Sequence, residues 1–447
     1  MTNLPLSRLA VLICLMTALA CAPSIESEDV DIVVQLERSL TDGLLNAWYP
    51  AALDTVHGGF LSDLSHDWRP KGAQNKMIVT QARHVWTCSE AAMFLGQAEY
   101  RRMAGHGYRF LRSKMWDEDW GGFYQIRDRE GGPVDDPGLD YKSAYGNAFA
   151  IYSLATYFKM CADSYALDLA QKTFFWLERH NHDPIYGGYY DRMTRRGEPW
   201  NGGMGKDQNS SIHLLEAFTA LYRVWPHDLV RRRLHEMLEL VRDTIVTPKG
   251  CLTLFLHRNW TPVSFRDSLR AVREANYALD HVSFGHDVET AFLMLEASHV
   301  LGLDPDIRTL QVAKRMVDHA LANGWDAVNG GFYDQGYYFD LAKPVSIISE
   351  DKVWWVQAEG LNALLLFSKL YPEQPRYFEA FEKQWTYIRR YLMDHDHGGW
   401  YGKGLDKNPG YRKRSKAHDW KVNYHNMRAL MNCIKMLRSE HELTDKH

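Results

Sequence analysis

One short pattern recurs along the chain: an aspartate, three residues, two glycines and an aromatic. It reads DTVHGGF from Asp54, DEDWGGF from Asp117, DPIYGGY from Asp183, DAVNGGF from Asp326 and DHDHGGW from Asp394. The first glycines lie 63, 66, 143 and 68 residues apart. The gap of 143 spans two periods, and Gly250 in TPKGCLTLFL falls where the missing unit belongs, without the Asp or the second Gly. Six units of about 65 residues follow. Units of this kind bury a face against their neighbours, so the 447 residues form one large domain rather than the two or three that length alone suggests.

Each unit reads as an amphipathic helix, the glycine turn, a polar loop and a second, more apolar helix. In the fifth unit DIRTLQVAKRMVDHALANG carries apolar residues at three-and-four spacing, whereas VWWVQAEGLNALLLFSKLY is apolar nearly all round and belongs in the interior. The glycine pair tolerates positive φ and reverses the chain. The Asp is placed to accept from backbone N–H groups of that turn. This makes the repeated turn scaffold rather than chemistry. Six hairpins with no polar capping repeat favour a closed ring over an open solenoid. The expected fold is all-α, an (α/α)6 barrel with the apolar helices inside, spanning 31–440.

Residues 1–20 stand apart. Arg8 precedes LAVLICLMTALA, an apolar run too short to span a bilayer. The segment reads as a signal peptide whose ALAC end offers two exits, plain cleavage after Ala20 or lipid attachment at Cys21, the second being the expectation, with 21–30 as a short linker. The expectation is an exported protein, lipid-anchored in the periplasm or cell envelope. Of the remaining cysteines, Cys88, Cys161, Cys251 and Cys433 show no CxxC spacing and read as free thiols. A net charge of −4 with no basic block does not indicate nucleic acid.

Counting forward from each first glycine finds a polar residue near the start of every inner helix. Arg83 lies 25 residues after Gly58, Asn147 26 after Gly121, and His213 26 after Gly187. Trp355 and Glu359 lie 25 and 29 after Gly330, His425 27 after Gly398, and His286 36 after Gly250 in a longer unit. In a closed ring those starts share one end, so the polar groups converge on one pocket. Trp355 and Trp420 beside them fit sugar stacking, since pyranose faces pack on indole rings. His286 and Glu289, at i and i+3, could ligate a cation together, but Arg83 beside it speaks against one, and no metal is expected.

Six segments carry a family resemblance: ARHVWTCSEA, YGNAFAIYSLATYF, QNSSIHLLEAFTALYRVW, VSFGHDVETAFLMLEA, KVWWVQAEGLNALL and WKVNYHNMRAL. From about 80 to 435 the chain resembles the N-acylglucosamine 2-epimerase superfamily, and within it the cellobiose and mannobiose 2-epimerases. The resemblance implies an (α/α)6 barrel. It implies that Arg83 binds sugar, that Asn209 and His213 form a polar pair, and that His286 and His425 are the catalytic histidines. It further makes Glu289 their helper carboxylate, Glu359 the Glu of the WWxxAE segment, and Tyr145 and Trp420 sugar-contacting aromatics. The chain departs from the disaccharide epimerases with SSIH for THLH, with Phe292 for Trp, and with an extra stretch near 262–280.

The residues suit proton transfer at C2 of a reducing sugar. An opened aldose has an acidic C2 hydrogen, because the resulting charge spreads into an enediolate. Imidazole, with an unperturbed pKa of about 6.5, serves as base on one face and acid on the other. The expectation is that His286 and His425 face each other across the sugar, with ring separation under about 12 Å. Glu289 is expected to orient His286, Arg83 to stabilise the enediolate, and His213 to polarise O1. The partner is a small sugar, and no cofactor is required. Aldose–ketose isomerisation of the mannose type and N-acylglucosamine 2-epimerisation share the enediol. An inverting glycoside hydrolase would use Glu289 and Glu359 as its carboxylate pair, and a non-catalytic sugar-binding protein is a further reading.

Overall fold

A computed structural model describes residues 31–200, 205–304 and 306–444. The expected signal peptide and linker, with Cys21, lie outside the described residues. Among the described residues, twelve principal helical segments alternate between two concentric layers. The inner helices are Ile78–Leu95, Ala144–Cys161, Gln208–Val224, Phe284–Val300, Trp354–Leu370 and Tyr424–Thr444. Each packs on the next, and the last packs on the first. The sequence-expected (α/α)6 barrel is the fold.

The outer helices begin at Ile32, Ala98, Ser164, Asp228, Ile307 and Arg376. Their periodicity shows in what they bury. In Ala98–Phe110, Tyr100, Met103, Ala104, Gly107 and Tyr108 face inward while Arg101 and Arg102 are exposed. Inner helices have no such solvent face. In Trp354–Leu370 only a few residues escape full burial, as its unbroken apolar sequence requires.

The turns carry more than the glycines suggest. Gly58 and Gly59 take φ of +85° and +67°, and Asp54 Oδ1 accepts from the N–H groups of Val56 and His57 at 3.2 Å each. Its other oxygen meets a fully buried lysine, Lys76, at 3.0 Å. The same pair recurs as Lys142–Asp117, Lys206–Asp183, Lys352–Asp326 and Lys416–Asp394. Each lysine also donates to the carbonyl of the first glycine of its turn. In the first three units an arginine adds a second cation, with Arg129, Arg195 and Arg258 bound to Asp54, Asp117 and Asp183.

The segments read as polar loops are partly short antiparallel strands. The residues just before each inner helix pair with the segment after the next unit's turn: Lys76–Met77 with Ile126–Arg127, Tyr141–Ser143 with Arg192–Thr194, Lys206–Asp207 with Phe255–Leu256, and Val282–Ser283 with Gln335–Tyr337. A bridge between Leu64 and Ala417 joins the last unit to the first. The ring is therefore closed twice, once by helix packing and once by backbone pairing at its mouth.

Two classes of polar residue leave the inner helices. One class turns outward to the glycine turn: Gln81 accepts from Phe60 N–H at 2.8 Å, Asn147 from Phe123 at 2.8 Å, Asp287 from Leu252 at 3.0 Å and Gln357 from Phe332 at 2.9 Å. Asn147, expected at the pocket from its spacing, belongs to this class. Its Nδ2 donates to Ser143 O, so it is spent on scaffold. The four cysteines are unpaired; Cys88, Cys251 and Cys433 are buried and Cys161 is partly so. None of the described helices is long and apolar enough to cross a membrane.

Candidate active site

All six inner helices contribute to one constellation. From the first helix, Arg83 donates to the Tyr145 hydroxyl of the second at 2.9 Å, with its guanidinium 4.4 Å from the Phe149 ring. Tyr145 lies 5.2 Å from the His213 ring on the third helix and 6.2 Å from Trp420, which is half exposed at the mouth. Asn209 reaches toward the Tyr145 hydroxyl, and its own amide oxygen has no partner among the described residues.

His213 Nδ1 meets Glu216 Oε2 one turn on, at 2.8 Å. Glu216 Oε1 accepts from the Tyr424 hydroxyl and from Arg428. Arg428, on the sixth helix, is a hub. Its other terminal nitrogen donates to Glu289, on the fourth helix, and at 2.7 Å to Glu359, on the fifth. All four charged groups are almost wholly buried. Burial works to raise the Glu216 carboxyl, but Arg428, His213 and Tyr424 outweigh it and hold it at about 2. For Glu359 burial wins over Arg428, and its pKa is raised.

Glu359 also accepts from His425 Nδ1, at 2.7 Å. The His425 ring lies 5.7 Å from Trp355, and the His286 ring 4.6 Å from the same indole. The two imidazoles can be no further apart than the sum of those distances, inside the reach of a bound sugar. His286 Nδ1 is held at 2.8 Å by the hydroxyl of Ser283, the residue just before the first turn of the same helix. Burial pulls both imidazoles well below their ordinary range, and for His286 the neighbouring His213 acts the same way. Neither Nε2 has a partner among the described residues, and neither is sealed from the pocket.

Ten sequence-expected residues are thus brought together: Arg83, Tyr145, Asn209, His213, His286, Glu289, Trp355, Glu359, Trp420 and His425. One expected contact is absent. Glu289 does not orient His286; its bonded oxygen faces Arg428 and lies 3.7 Å from His425 Nδ1. The i, i+3 offset puts both side chains on one helix face, but Arg428 draws the carboxylate down into the barrel while Ser283 holds the imidazole up at the mouth. Ligating atoms of Glu289, Glu359 and His425 fall within 4.8 Å of one another, yet the carboxylate oxygens nearest His425 already accept from Arg428. Glu216, Ser283, Tyr424 and Arg428 were missed. YHNMR held a signal for Arg428, three residues after His425 and so on the same face.

Comparisons with known proteins identify the family. The sequence profile described as N-acylglucosamine 2-epimerase (GlcNAc 2-epimerase) matches residues 58–429. A cellobiose 2-epimerase of Ruminococcus albus is 30% identical over 418 residues, covering 90% of this chain and 98% of the relative. A D-mannose isomerase of Marinomonas mediterranea is 25% identical over 398 residues, covering 87% and 94%. The solved structure of cellobiose 2-epimerase from Bacillus thermoamylovorans superposes with a TM-score of 0.79 at 25% identity, covering 90% of this chain and 98% of that one. With the family profile running through all six units, and a sugar isomerase or epimerase behind each of these likenesses, the chain belongs to the N-acylglucosamine 2-epimerase family.

Proposed function

We propose that the protein inverts C2 of a reducing sugar, the reducing-end residue of a β-1,4-linked disaccharide such as cellobiose or mannobiose. The observation that carries this is the pair of imidazoles flanking Trp355, each anchored through Nδ1 with Nε2 left for the pocket. The anchors differ. Glu359 accepts only, so a neutral His425 carries its proton on Nδ1 and offers Nε2 as a base. Its imidazolium, once formed, is stabilised by that carboxylate. The Ser283 hydroxyl can donate or accept, so His286 can hold either tautomer and return or remove a proton on the other face. Arg83 supplies a fixed positive charge for the enediolate. Trp355 and Trp420 offer faces for the sugar rings.

A mannose-type aldose–ketose isomerisation is the second reading, favoured by the mannose isomerase relative and by the shared enediolate. A hydrolase is disfavoured, because Glu289 and Glu359 both turn to the same nitrogen of Arg428 instead of flanking a glycosidic bond. Export with lipid attachment at Cys21 remains part of the proposal, supported by Arg8 and the apolar run after it.

Incubation in D2O with cellobiose, mannobiose, mannose, glucose and N-acetylglucosamine tests the reading by NMR. Deuterium at C2 of a recovered epimer is expected, and a ketose product selects the isomerase instead. His425→Ala should slow exchange about 10²- to 10⁴-fold. Exchange at full rate in that variant would remove His425 from the chemistry.

A further inference from the structure

Five units spend a buried lysine on the aspartate of their turn, and in the fourth Val282 stands in register with those lysines. The sixth unit has a second buried lysine. Lys421 is only 2% exposed, yet no carboxylate bonds it among the described residues. Its amine donates to the Trp400 carbonyl at 2.9 Å and to the Lys416 carbonyl at 2.5 Å. The indole rings of Trp354 and Trp48 stand 5.5 and 5.7 Å from it. Burial pushes its pKa well below the ordinary range, and the neighbouring Lys416 acts the same way. Neutral or protonated, it has the two N–H donors that these carbonyls use. A buried amine without a counter-charge is costly to keep, and this one sits beside the mouth of the barrel.

Comparison with the other units shows what is unusual about its bonds. Trp400 is the aromatic that follows the glycine pair of the sixth turn. In the first and fifth units the carbonyl at that position belongs to Phe60 and Phe332. It accepts there from a glutamine of the inner helix, Gln81 at 2.8 Å and Gln357 at 2.7 Å. In the sixth unit the donor lies ahead of the inner helix, on a hairpin. His418 and Lys421 pair across a two-residue turn, with His418 N–H donating to Lys421 O at 3.3 Å and Lys421 N–H to His418 O at 2.8 Å. The two residues at its tip are Asp419 and Trp420. Elsewhere this carbonyl fastens the turn to the inner helix; here it fastens the turn to the segment that carries a mouth aromatic.

Trp420 needs such a tie. Its side chain is half exposed and its ring meets that of Tyr145 at 6.2 Å, so its place is set by the backbone beneath it. Two side chains hold that backbone. Thr80, one turn before Arg83 on the first inner helix, donates its hydroxyl to the Asp419 carbonyl, and Lys421 binds the hairpin to the sixth turn. On its other side the Lys421 amine packs on Trp354, the neighbour of Trp355, whose indole lies between the two imidazoles. We infer that Lys421 is a positioning residue for the sugar: its amine fixes the hairpin that presents the Trp420 indole at the mouth, and it acts on binding and not on proton transfer. The inference rests on the sugar 2-epimerase reading and names a residue that sets the affinity of that site.

The test is a double-mutant cycle on KM in the C2 exchange assay with cellobiose, using Lys421→Met, Trp420→Ala and the two combined. Lys421→Met keeps the apolar stem and loses the donors. It is expected to raise KM about tenfold with kcat within about threefold of wild type, the pattern of lost binding. If the lysine acts through the indole, its loss does not add to that of Trp420→Ala, and the double variant matches Trp420→Ala alone. Additive losses, an unmoved KM or a fall confined to kcat overturn the assignment. Should Lys421→Met fail to fold, Lys421→Gln, which keeps a donor on a stem too short for both carbonyls, takes its place. Fluorine NMR of protein labelled with fluorotryptophan reads the indole without turnover, the Trp420 line being the one missing from Trp420→Phe. The lysine variant should shift or broaden that line. If no sugar exchanges at all, the epimerase reading fails and the line still decides: a change supports the hold on Trp420, and an unchanged line overturns it.

Discussion

Replacing Arg428 by methionine tests whether the buried hub organises the site. Arg428 is the only cation bound to Glu216, Glu289 and Glu359 among the described residues, apart from the histidines that those carboxylates orient. Two routes give the cost. Removing one partner of a buried ion pair costs about 3–5 kcal/mol. Independently, Glu216 is held at about 2 against an ordinary 4.5, which at about 1.4 kcal/mol per unit corresponds to roughly 3 kcal/mol of native stability. The routes agree, although His213 and Tyr424 share the second figure. For a chain of this length, at about 2.1 cal/mol/K per residue, the loss lowers Tm by roughly 3–5 °C.

The pH dependence carries the sharper test. The folded pKa of Glu216 is depressed, so its contribution is fully present above the unfolded value and is lost as pH falls from about 4.5 toward 2. In Arg428→Met the burial penalty is unopposed by the arginine, so the carboxylates take up protons at higher pH and the variant recovers stability on acidification. Urea unfolding at pH 7 and pH 5 should show a wild-type-to-variant gap of about 3–5 kcal/mol at pH 7, and a smaller one at pH 5. A gap that does not change between the two values, or one under about 1 kcal/mol at pH 7, would refute the hub. Turnover should fall as well, since Glu359 loses the donor that fixes its oxygen against His425.

Other consequences are more local. Ser283→Ala removes the only partner of His286 Nδ1 among the described residues; we expect kcat to drop about tenfold with unfolding free energy within about 1 kcal/mol of wild type, and unaltered kcat would show that the hydroxyl does not position the ring. Because burial depresses His286 and His425, their basic forms persist below the usual imidazole range, so kcat/KM should stay level as pH falls from 8 to 6.5; an acid limb centred above 6.5 contradicts this. Lys416→Met strips Asp394 of its buried cation and should cost about 3–5 kcal/mol in denaturant unfolding. Lys142→Met leaves Arg195 on Asp117 and should cost clearly less; equal losses would deny the arginine a share.

The barrel was legible because its signal is periodic. Five copies of the turn and a sixth glycine in phase set the number of hairpins before any helix was assigned. The apolar inner helices then had only one place to go. The strand pairs were not legible, since two- or three-residue strands carry no alternation and their partners lie in the next unit. Nor were the turn lysines. Lys76, Lys142, Lys206, Lys352 and Lys416 sit in segments that read as polar loop, and only the fold shows them buried on the turn aspartates.

At the site, spacing gathered the right residues but could not say which way they face. Asn147 and His213 both lie 26 residues after their glycines, yet one binds the turn and the other the pocket. A helix rotates 100° per residue, so the differing loop lengths before each inner helix scramble the phase counted from the turn. Pairings across the barrel, such as Arg428 with Glu216 on the third helix and Glu289 on the fourth, join residues 212 and 139 positions apart and leave no local trace.

The repeat also explains why departures from it are informative. In five units the Asp–Lys pair fastens the turn to the strand before the inner helix, and that strand sets the height of the pocket residues. A unit that gives up the pair must hold its turn otherwise. The fourth does so through Thr247, whose hydroxyl accepts from Cys251 N–H and donates to its carbonyl, and through Asp287 on Leu252. This is weaker fastening than a buried ion pair with three or more bonds, and it stands at the unit that carries His286. If stability alone shaped the turns, the fourth would be the one to restore. Thr247→Asp with Val282→Lys should then bind as the other pairs do and raise stability. A gain of about 1 kcal/mol or more in denaturant unfolding would show that the pair fastens the fourth turn as it does the other five. No gain would show that the Thr247 hydroxyl and the Asp287 carboxylate already hold this turn as firmly.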